Sequence, residues 1–235
     1  MSSRVLLKLS GEQLGGTLGK GFDIDTANWI AGEIKRLMDN GLGVAIMIGG
    51  GNFVRGVMFE SKEINNVTAD NAGMLATLIN ATLLGDVFKY NGLDAKVLTN
   101  ILCGQAADDF TNRRALHNLA KNRVLILGGG TGRPYVTTDT AAVLLALELK
   151  CDLVVKATKV DGVFDRDPQK FPDAERLASV TYARAVEDEN IRVMDKTALA
   201  TAENYNIPIV VCELSENKPG NILKAIQGQA GTRIG

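Results

Sequence analysis

The chain has 235 residues, 46% hydrophobic and 23% charged, with a formal net charge of −1 and a pI near 5.9. A chain of this length buries roughly 70–75% of the surface it exposes when unfolded, so it needs no disulfide or metal staple, and its Lys and Arg are too dispersed for the footprint of a nucleic-acid binder. Cys103, Cys151 and Cys212 are too few for a disulfide framework or a CxxC metal site, and His117 as the single histidine excludes histidine triads and multi-histidine metal centres.

Met1-Ser2-Ser3-Arg4 runs straight into apolar residues, without a long apolar segment or a small-residue cleavage pattern. A cytoplasmic protein is therefore expected, with no export and no membrane span. Residues 4–9 read as a first strand, followed by Ser10-Gly11-Glu12 and a glycine-dotted loop at 15–21. A helix follows, with Asp25 as its cap, Ile30, Ile34, Leu37 and Met38 as its apolar stripe and Gly41 as its end. Residues 44–48 form a second strand that runs into Gly49-Gly50-Gly51-Asn52-Phe53-Val54-Arg55-Gly56. A helix of about six turns is predicted over 68–90. Apolar and small residues cover more than one of its faces, which predicts burial on two sides. A strand at 95–98 and a helix at 108–122 complete the first half.

Residues 124–127 are four apolar residues bounded by glycine, the signature of a strand buried on both faces. Gly128-Gly129-Gly130-Thr131-Gly132 follow, and Thr138 or Asp139 opens an Ala- and Leu-rich helix. A glycine loop that delivers a helix N-terminus offers free N–H groups and the positive end of the dipole, so it suits phosphate. Taken alone, the same glycines could simply turn a corner. Residues 152–156 read as a strand, 157–168 as an irregular segment rich in turn residues and charge, 195–204 as a helix, 208–212 as a strand and 220–227 as a short helix. This βαβα order predicts an α/β fold, a three-layer αβα sandwich with a mainly parallel central sheet in one domain over 1–235. In such sheets ligands lie beyond the carboxyl ends of the strands, where the glycine loops, Lys8 and Lys156 all fall.

The Rossmann pattern fails because Arg133 or Val54 stands where its third glycine belongs. The Walker A pattern fails at Leu14 and Gly21. Lys8, Arg55 and Lys156 remain as three cations at strand ends. Phosphoryl transfer needs charge neutralisation and alignment more than covalent chemistry, so lysines, backbone donors and Mg²⁺ suffice without histidine.

Five blocks in order are Lys8-Leu9-Ser10-Gly11-Glu12, the run from Ile48 to Gly56, Asp70-Asn71-Ala72-Gly73-Met74-Leu75-Ala76-Thr77, the Gly130-Thr131-Gly132 to Thr137-Thr138-Asp139 segment, and Lys156-Ala157-Thr158-Lys159-Val160-Asp161-Gly162-Val163-Phe164 with Asp167-Pro168. Together, over nearly the whole chain, they resemble the bacterial-type UMP kinases of the amino acid kinase superfamily. The block around Asp70 separates that group from acetylglutamate, carbamate and aspartate kinases. The resemblance implies transfer of the γ-phosphoryl of ATP to UMP, with Mg²⁺ accompanying ATP and no dedicated protein metal site. The acceptor part would be roughly 1–150 and the ATP part roughly 151–235.

By the same resemblance, Lys8, Leu9, Ser10 and Gly11 contact the ATP phosphates, with Gly51, Arg55, Thr158, Phe164 and Asp167 also on the ATP side. Gly50, Asp70, Thr131, Gly132, Arg133, Pro134, Tyr135, Val136, Thr137 and Thr138 match the UMP side, with Asp70 at the ribose hydroxyls. Lys8, Arg55, Asp139 and Lys156 form the catalytic set. Asp139 either orients the lysines or Mg²⁺ or is a plain helix cap, and Phe164 either packs near the adenine or anchors the core. Arg133 stands where asparagine is frequent in the family, and Val136 where an aromatic is frequent. The family also implies a homohexamer built from dimers, inhibition by UTP and regulation by GTP. Weak or absent GTP activation is expected here, because the loop at 16–21 is mostly glycine and costly to order. Alternatives are a kinase for a carboxylate or carbamate acceptor and a noncatalytic nucleotide-binding regulator.

Overall fold

The structure, a computed structural model, describes residues 3–54, 63–166, 168, 170–171, 173–188, 191 and 193–235. Its strands are β1 (Arg4–Leu9), β2 (Gly43–Ile48), β3 (Ala95–Thr99), β4 (Asp108–Asp109), β5 (Val124–Gly128), β6 (Leu153–Thr158), β7 (Val163–Phe164), β8 (Arg176–Leu177), β9 (Ser179–Val180), β10 (Ile209–Glu213) and β11 (Thr232–Ile234). Its helices are α1 (Ile24–Asp39), α2 (Asn66–Tyr90), α3 (Asn112–Ala120), α4 (Thr138–Glu148), α5 (Tyr182–Glu187), α6 (Lys196–Asn204) and α7 (Asn221–Ile226), with a 3₁₀ helix at Gly11–Leu18.

Among the described residues one sheet holds nine strands in the order β4-β3-β5-β2-β1-β6-β10-β11-β9. From β4 to β10 every pairing is parallel, and β11 alone runs antiparallel to its neighbour β10. The fully buried patterns of β2 and β5 follow from helices on both faces. Strand alternation sorts the core into two layers. Val5, Leu7 and Leu9 face α1, α2 and α7, with Ile30, Ile34, Leu84 and Ile222. Leu6 faces α3 to α6, with Leu119, Val143, Leu145 and Leu199. This is the expected α/β sandwich with a mainly parallel sheet.

Several boundaries differ from the sequence reading. Asp23, not Asp25, caps α1, its carboxylate accepting from the Thr26 amide at 2.7 Å. Asp25 sits in the first turn, where its charge still suits the dipole. The helix expected over 108–122 is shorter, because Thr111 caps it and Asp108–Asp109 pair in parallel with Leu98 and Thr99 of β3. Residues 11–18 are not an open loop: Ser10 and Gln13 form a reciprocal capping box that starts the 3₁₀ helix. The entropy argument against an effector at 16–21 therefore loses its premise, since much of that segment is already ordered. The irregular segment after β6 contains the β7–β8 hairpin, in which Phe164 pairs with Arg176. Two-residue strands of this kind carry no periodicity that sequence could register.

α2 is buried on one side in the single chain, not on two. Met74, Leu78, Ala81, Leu84 and Phe88 face the core, while Leu75, Ile79 and Leu83, four residues apart, are exposed. Phe88 is the largest fully buried side chain of the inner face. Phe88→Ala should cost about 3–5 kcal/mol of unfolding free energy, measured by urea denaturation. A loss below 1 kcal/mol would mean that this end of α2 packs loosely.

Candidate functional site

Alternation along two neighbouring strands sets the centre of the site. Lys8 shares the face of Leu6, and Lys156 that of Val154, so both point toward the layer containing α4. Lys8 and Lys156 are register partners across the β1–β6 pairing, which holds two ammonium groups side by side near the carboxyl ends of the sheet. Asp139, in the first turn of α4, comes between them. Its Oδ1 lies 2.8 Å from Lys8 Nζ and its Oδ2 2.7 Å from Lys156 Nζ, with the three side chains 11%, 14% and 16% exposed in the order Lys8, Asp139, Lys156. Both oxygens are thereby engaged: Oδ2 accepts a hydrogen bond from Lys156, and Oδ1 meets the Lys8 ammonium as a close ion pair.

Asp139 is not the helix cap. Thr137 fills that position, its hydroxyl accepting from the amides of Asp139 and Thr140 at 3.1 and 3.3 Å. Burial pushes the Asp139 carboxyl up, but the charges of Lys8 and Lys156 outweigh it and hold the group below the ordinary carboxylate range. Lys156 is shifted down, first by burial, with Asp139 opposing and Lys8 adding to the shift.

A second carboxylate locks α4 from the other side. Asp195 caps α6 by accepting from the Ala198 amide at 2.8 Å, and it accepts from the Thr140 hydroxyl at 2.8 and 2.9 Å and from the Thr137 hydroxyl. Two helix N-termini are thereby tied to one side chain. A cavity of about 420 Å³ opens here, lined by Asp139, Lys156, Val186, Ile191, Met194 and Asp195 among others. Sequence reading missed its far wall, residues 185, 186, 188, 191 and 193–196, apart from the helix start at Asp195. A polar residue before an apolar run signals a cap, but not which neighbouring helix the cap also binds.

On the other side of the α4 start lies a cavity of about 180 Å³, lined by Gly50, Gly51, Asp70, Gly73, Thr77, Gly130, Arg133, Val136 and Thr138 among others. Thr138 lines this cavity and Asp139 the larger one, so the α4 N-terminus stands between the two. The inner face of α2 shapes the smaller cavity at helical spacing. Asp70 Oδ2 accepts from the Tyr135 amide at 2.7 Å, and the Thr77 hydroxyl accepts from the Gly129 amide at 2.7 Å. Gly50 must be glycine, since a Cβ there would lie 2.8 Å from the Gly73 carbonyl oxygen and from the Ala76 Cβ.

Of the residues singled out from sequence, Lys8, Asp139 and Lys156 come together in one cluster. Gly50, Gly51, Asp70, Arg133, Val136 and Thr138 meet around the smaller cavity. Ser10 and Gly11 start the 3₁₀ helix beside them, while Leu9 is buried toward α1. Thr131, Gly132, Pro134, Tyr135 and Thr137 form the connection rather than line the cavity: the Thr131 hydroxyl accepts from the Arg133 amide, Tyr135 takes a positive φ and Thr137 caps α4. The Thr158 hydroxyl closes a turn with Val160 at the end of β6, and Phe164 lies half-buried in the hairpin, lining neither cavity. Arg55 and Asp167 lie outside the described residues.

The family model described as "Amino acid kinase family" matches residues 3–213, and the chain belongs to this family. Within it the similarity runs to one enzyme. The uridylate kinase of Wolinella succinogenes is 47% identical over 97% of this chain and 94% of its own length. That of Aliarcobacter butzleri is 46% identical over 97% and 96%. Among solved structures, the UMP kinase from Bacillus anthracis superposes with a TM-score of 0.93 at 37% identity, covering 99% of this chain and 96% of that one.

The downward shift of Lys156 in the cluster predicts a titration. In the unliganded protein the Lys156 side chain, followed by ¹⁵N-detected NMR, should lose its proton below the ordinary lysine value of 10.5. Asp139→Asn should push it lower still, because it removes the charge that favours the ammonium form and leaves the repulsion of Lys8. An upward move in the variant would contradict the cluster's geometry.

Proposed function

We infer that this chain is a nucleoside monophosphate kinase that transfers the γ-phosphoryl group of ATP to UMP, giving UDP and ADP. One observation carries the reading: a buried lysine–aspartate–lysine cluster and a capped helix N-terminus stand between two cavities at the carboxyl ends of a parallel sheet. The smaller cavity, with Asp70 in its wall, suits the acceptor. A phosphate oxygen of UMP is already an anionic nucleophile, so the reaction needs no general base and no histidine. It needs positive charge where the transferred group passes, which Lys8, Lys156, the amides of the glycine loops and the α4 dipole supply.

In this reading Lys8 neutralises charge on the moving group, aided by Ser10 and Gly11. Gly50 serves the acceptor and Gly51 the donor, and Arg55 attends the phosphates. Asp139 holds both lysines in place. Thr158, Phe164 and Asp167 attend the donor nucleotide, and residues 131–138 wrap the acceptor. Mg²⁺ accompanies ATP and neutralises phosphate charge when bound. Such an ion takes one or two protein carboxylates beside phosphates and water, and Asp139, the carboxylate at the centre of the cluster, is the one that would hold it once phosphate oxygens engage the lysines. The protein acts in pyrimidine nucleotide biosynthesis in the cytoplasm, as one domain with the acceptor part at roughly 1–150 and the ATP part at roughly 151–235. No helix among the described residues is long and apolar enough to cross a membrane.

UTP competes for the acceptor cavity and inhibits. GTP activation is weak or absent, because Arg133 alters charge at the acceptor wall, where a signal must arrive to favour one state over another. The functional unit is a homohexamer of dimers, supported by the exposed Leu75, Ile79 and Leu83 stripe of α2, which is suited to burial against a second copy.

Initial rates with MgATP and UMP, CMP, acetylglutamate or carbamate test the reaction. UMP should be the preferred acceptor, and Asp70→Ala should raise KM for UMP far more than KM for ATP. Preference for carbamate or acetylglutamate would reassign the chain within its family, and no transfer to any of them would favour a noncatalytic regulator. UTP and GTP added at subsaturating ATP test the effectors, with activation of more than a few-fold by GTP opposing the expectation. Light scattering should report a hexamer, and a monomer at working concentration would defeat the assembly.

A further inference from the structure

Behind the glycine loop that lines the smaller cavity lies a pair of buried amides that line neither cavity. Asn52 ends the loop and is 6% exposed, and Asn80, on the inner face of α2, is 0% exposed. They bond reciprocally: Asn52 Nδ2 donates to Asn80 Oδ1 at 2.8 Å, and Asn80 Nδ2 donates to Asn52 Oδ1 at 2.7 Å. The second proton of each amide is also placed. Asn80 Nδ2 donates to the Gly49 carbonyl at 2.7 Å, and Asn52 Nδ2 to the Gly21 carbonyl at 2.6 Å. The Gly21 amide returns a bond to the Asn52 carbonyl at 3.1 Å. All four side-chain donors are satisfied, and the orientation of both amides is set by the carbonyls they face.

This pair fixes three chain segments to one another. Asn80 reaches from α2 to the start of the glycine loop, and Asn52 reaches from its end to the segment after the 3₁₀ helix. Gly11 closes onto the same point: a Cβ there would lie 2.4 Å from Asn52 Oδ1 and 2.6 Å from the Gly49 carbonyl oxygen. The neighbours of Asn80 in the core are apolar, Ala81 and Leu84 among them. Packing alone would be served by an apolar residue at this position. An amide is required because the Gly49 carbonyl would otherwise be buried unpaired.

We propose that Asn80 and Asn52 are positioning residues for phosphoryl transfer, setting the backbone of residues 49–51 and the approach of Gly11 without touching either nucleotide. The proposal rests on the transfer reading above. It assigns the pair an effect on alignment, not on affinity. Misplacement of reacting groups by about 1 Å can cost on the order of 100-fold in rate.

The test compares the wild type with Asn80→Ala, Asn52→Ala, the double variant and Asn80→Asp. The measurements are steady-state rates, calorimetric titration with UMP and with a non-hydrolysable ATP analogue, and thermal melting. Each single variant should lose roughly 10- to 100-fold in kcat while both dissociation constants stay within about threefold. The double variant should be no slower than the worse single one, because the amides act as a unit. Asn80→Asp keeps the volume but offers at most one donor, and only when protonated, so it cannot serve both the Gly49 carbonyl and Asn52 Oδ1; it should lose rate in the same sense as the alanine variant and carries the test if that one does not fold. The proposal is overturned by a wild-type kcat in the folded variants, by affinity losses that account for the whole rate loss, by multiplicative losses in the double variant, or by failure of every variant to fold. If the wild type prefers an acceptor other than UMP, the same comparison runs with that acceptor, so the two readings fail separately.

Discussion

Two ammonium groups on adjacent strands, largely withdrawn from water, repel each other unless a carboxylate lies between them. Asp139 is that carboxylate, and much of the architecture follows from holding it there. Lys8 and Lys156 are register partners, so their separation is set by the β1–β6 pairing, and α4 must arrive with its first turn above both. Thr137 ends the connection and starts the helix one turn below, while Asp195 ties that turn to α6. Removing Asp139 would leave two buried ammonium groups uncompensated, and loss of the partner of a buried charge typically costs about 3–5 kcal/mol. The cluster is nevertheless poised for an anion. A polyphosphate between the lysines offers the same neutralisation that Asp139 supplies in its absence, and more of it.

The second organising part is α2, a 25-residue helix with different work on its two sides. Its inner face meets the loops after β2 and β5 through four different groups: Asp70 at the Tyr135 amide, Gly73 at Gly50, Thr77 at the Gly129 amide and Asn80 at the Gly49 carbonyl. These positions are three or four residues apart, which is why one helix can serve them all. The loops are rich in glycine and have little side-chain packing of their own, so their shape comes from this helix. The outer stripe of Leu75, Ile79 and Leu83 presents an apolar surface on the same rigid rod. Anything seated on that stripe would lie one helix diameter from the site.

Strand β1 was legible to the residue, because apolar runs bounded by glycine and charge are written locally. The glycine loops, the Lys8 and Lys156 positions and the α/β order were legible for the same reason. Residues 11–18 were not: glycine at three of eight positions argues against a helix, and only the Ser10–Gln13 box and the contacts behind it make one. The parallel pairing of Asp108–Asp109 with β3 was hidden as well, since aspartates are poor strand formers and the pairing is made by distant residues. Asp195 and Asn80 illustrate the limit best. Each could be placed on a helix, yet neither could be assigned a partner.

The sequence by itself determined which residues alternate, which segments are helical, and that cations and glycine loops end the strands, because these are properties of neighbouring residues. Its blocks also carried the family, since their order along the chain is itself a linear property. Only the tertiary structure decided that Asp139 lies between two lysines instead of capping its helix, that Val186, Ile191 and Met194 wall the larger cavity, and that α2 is buried on one side alone. Those outcomes depend on distances between segments far apart in the chain, and such distances are set by sheet register and layer packing, which no local pattern encodes.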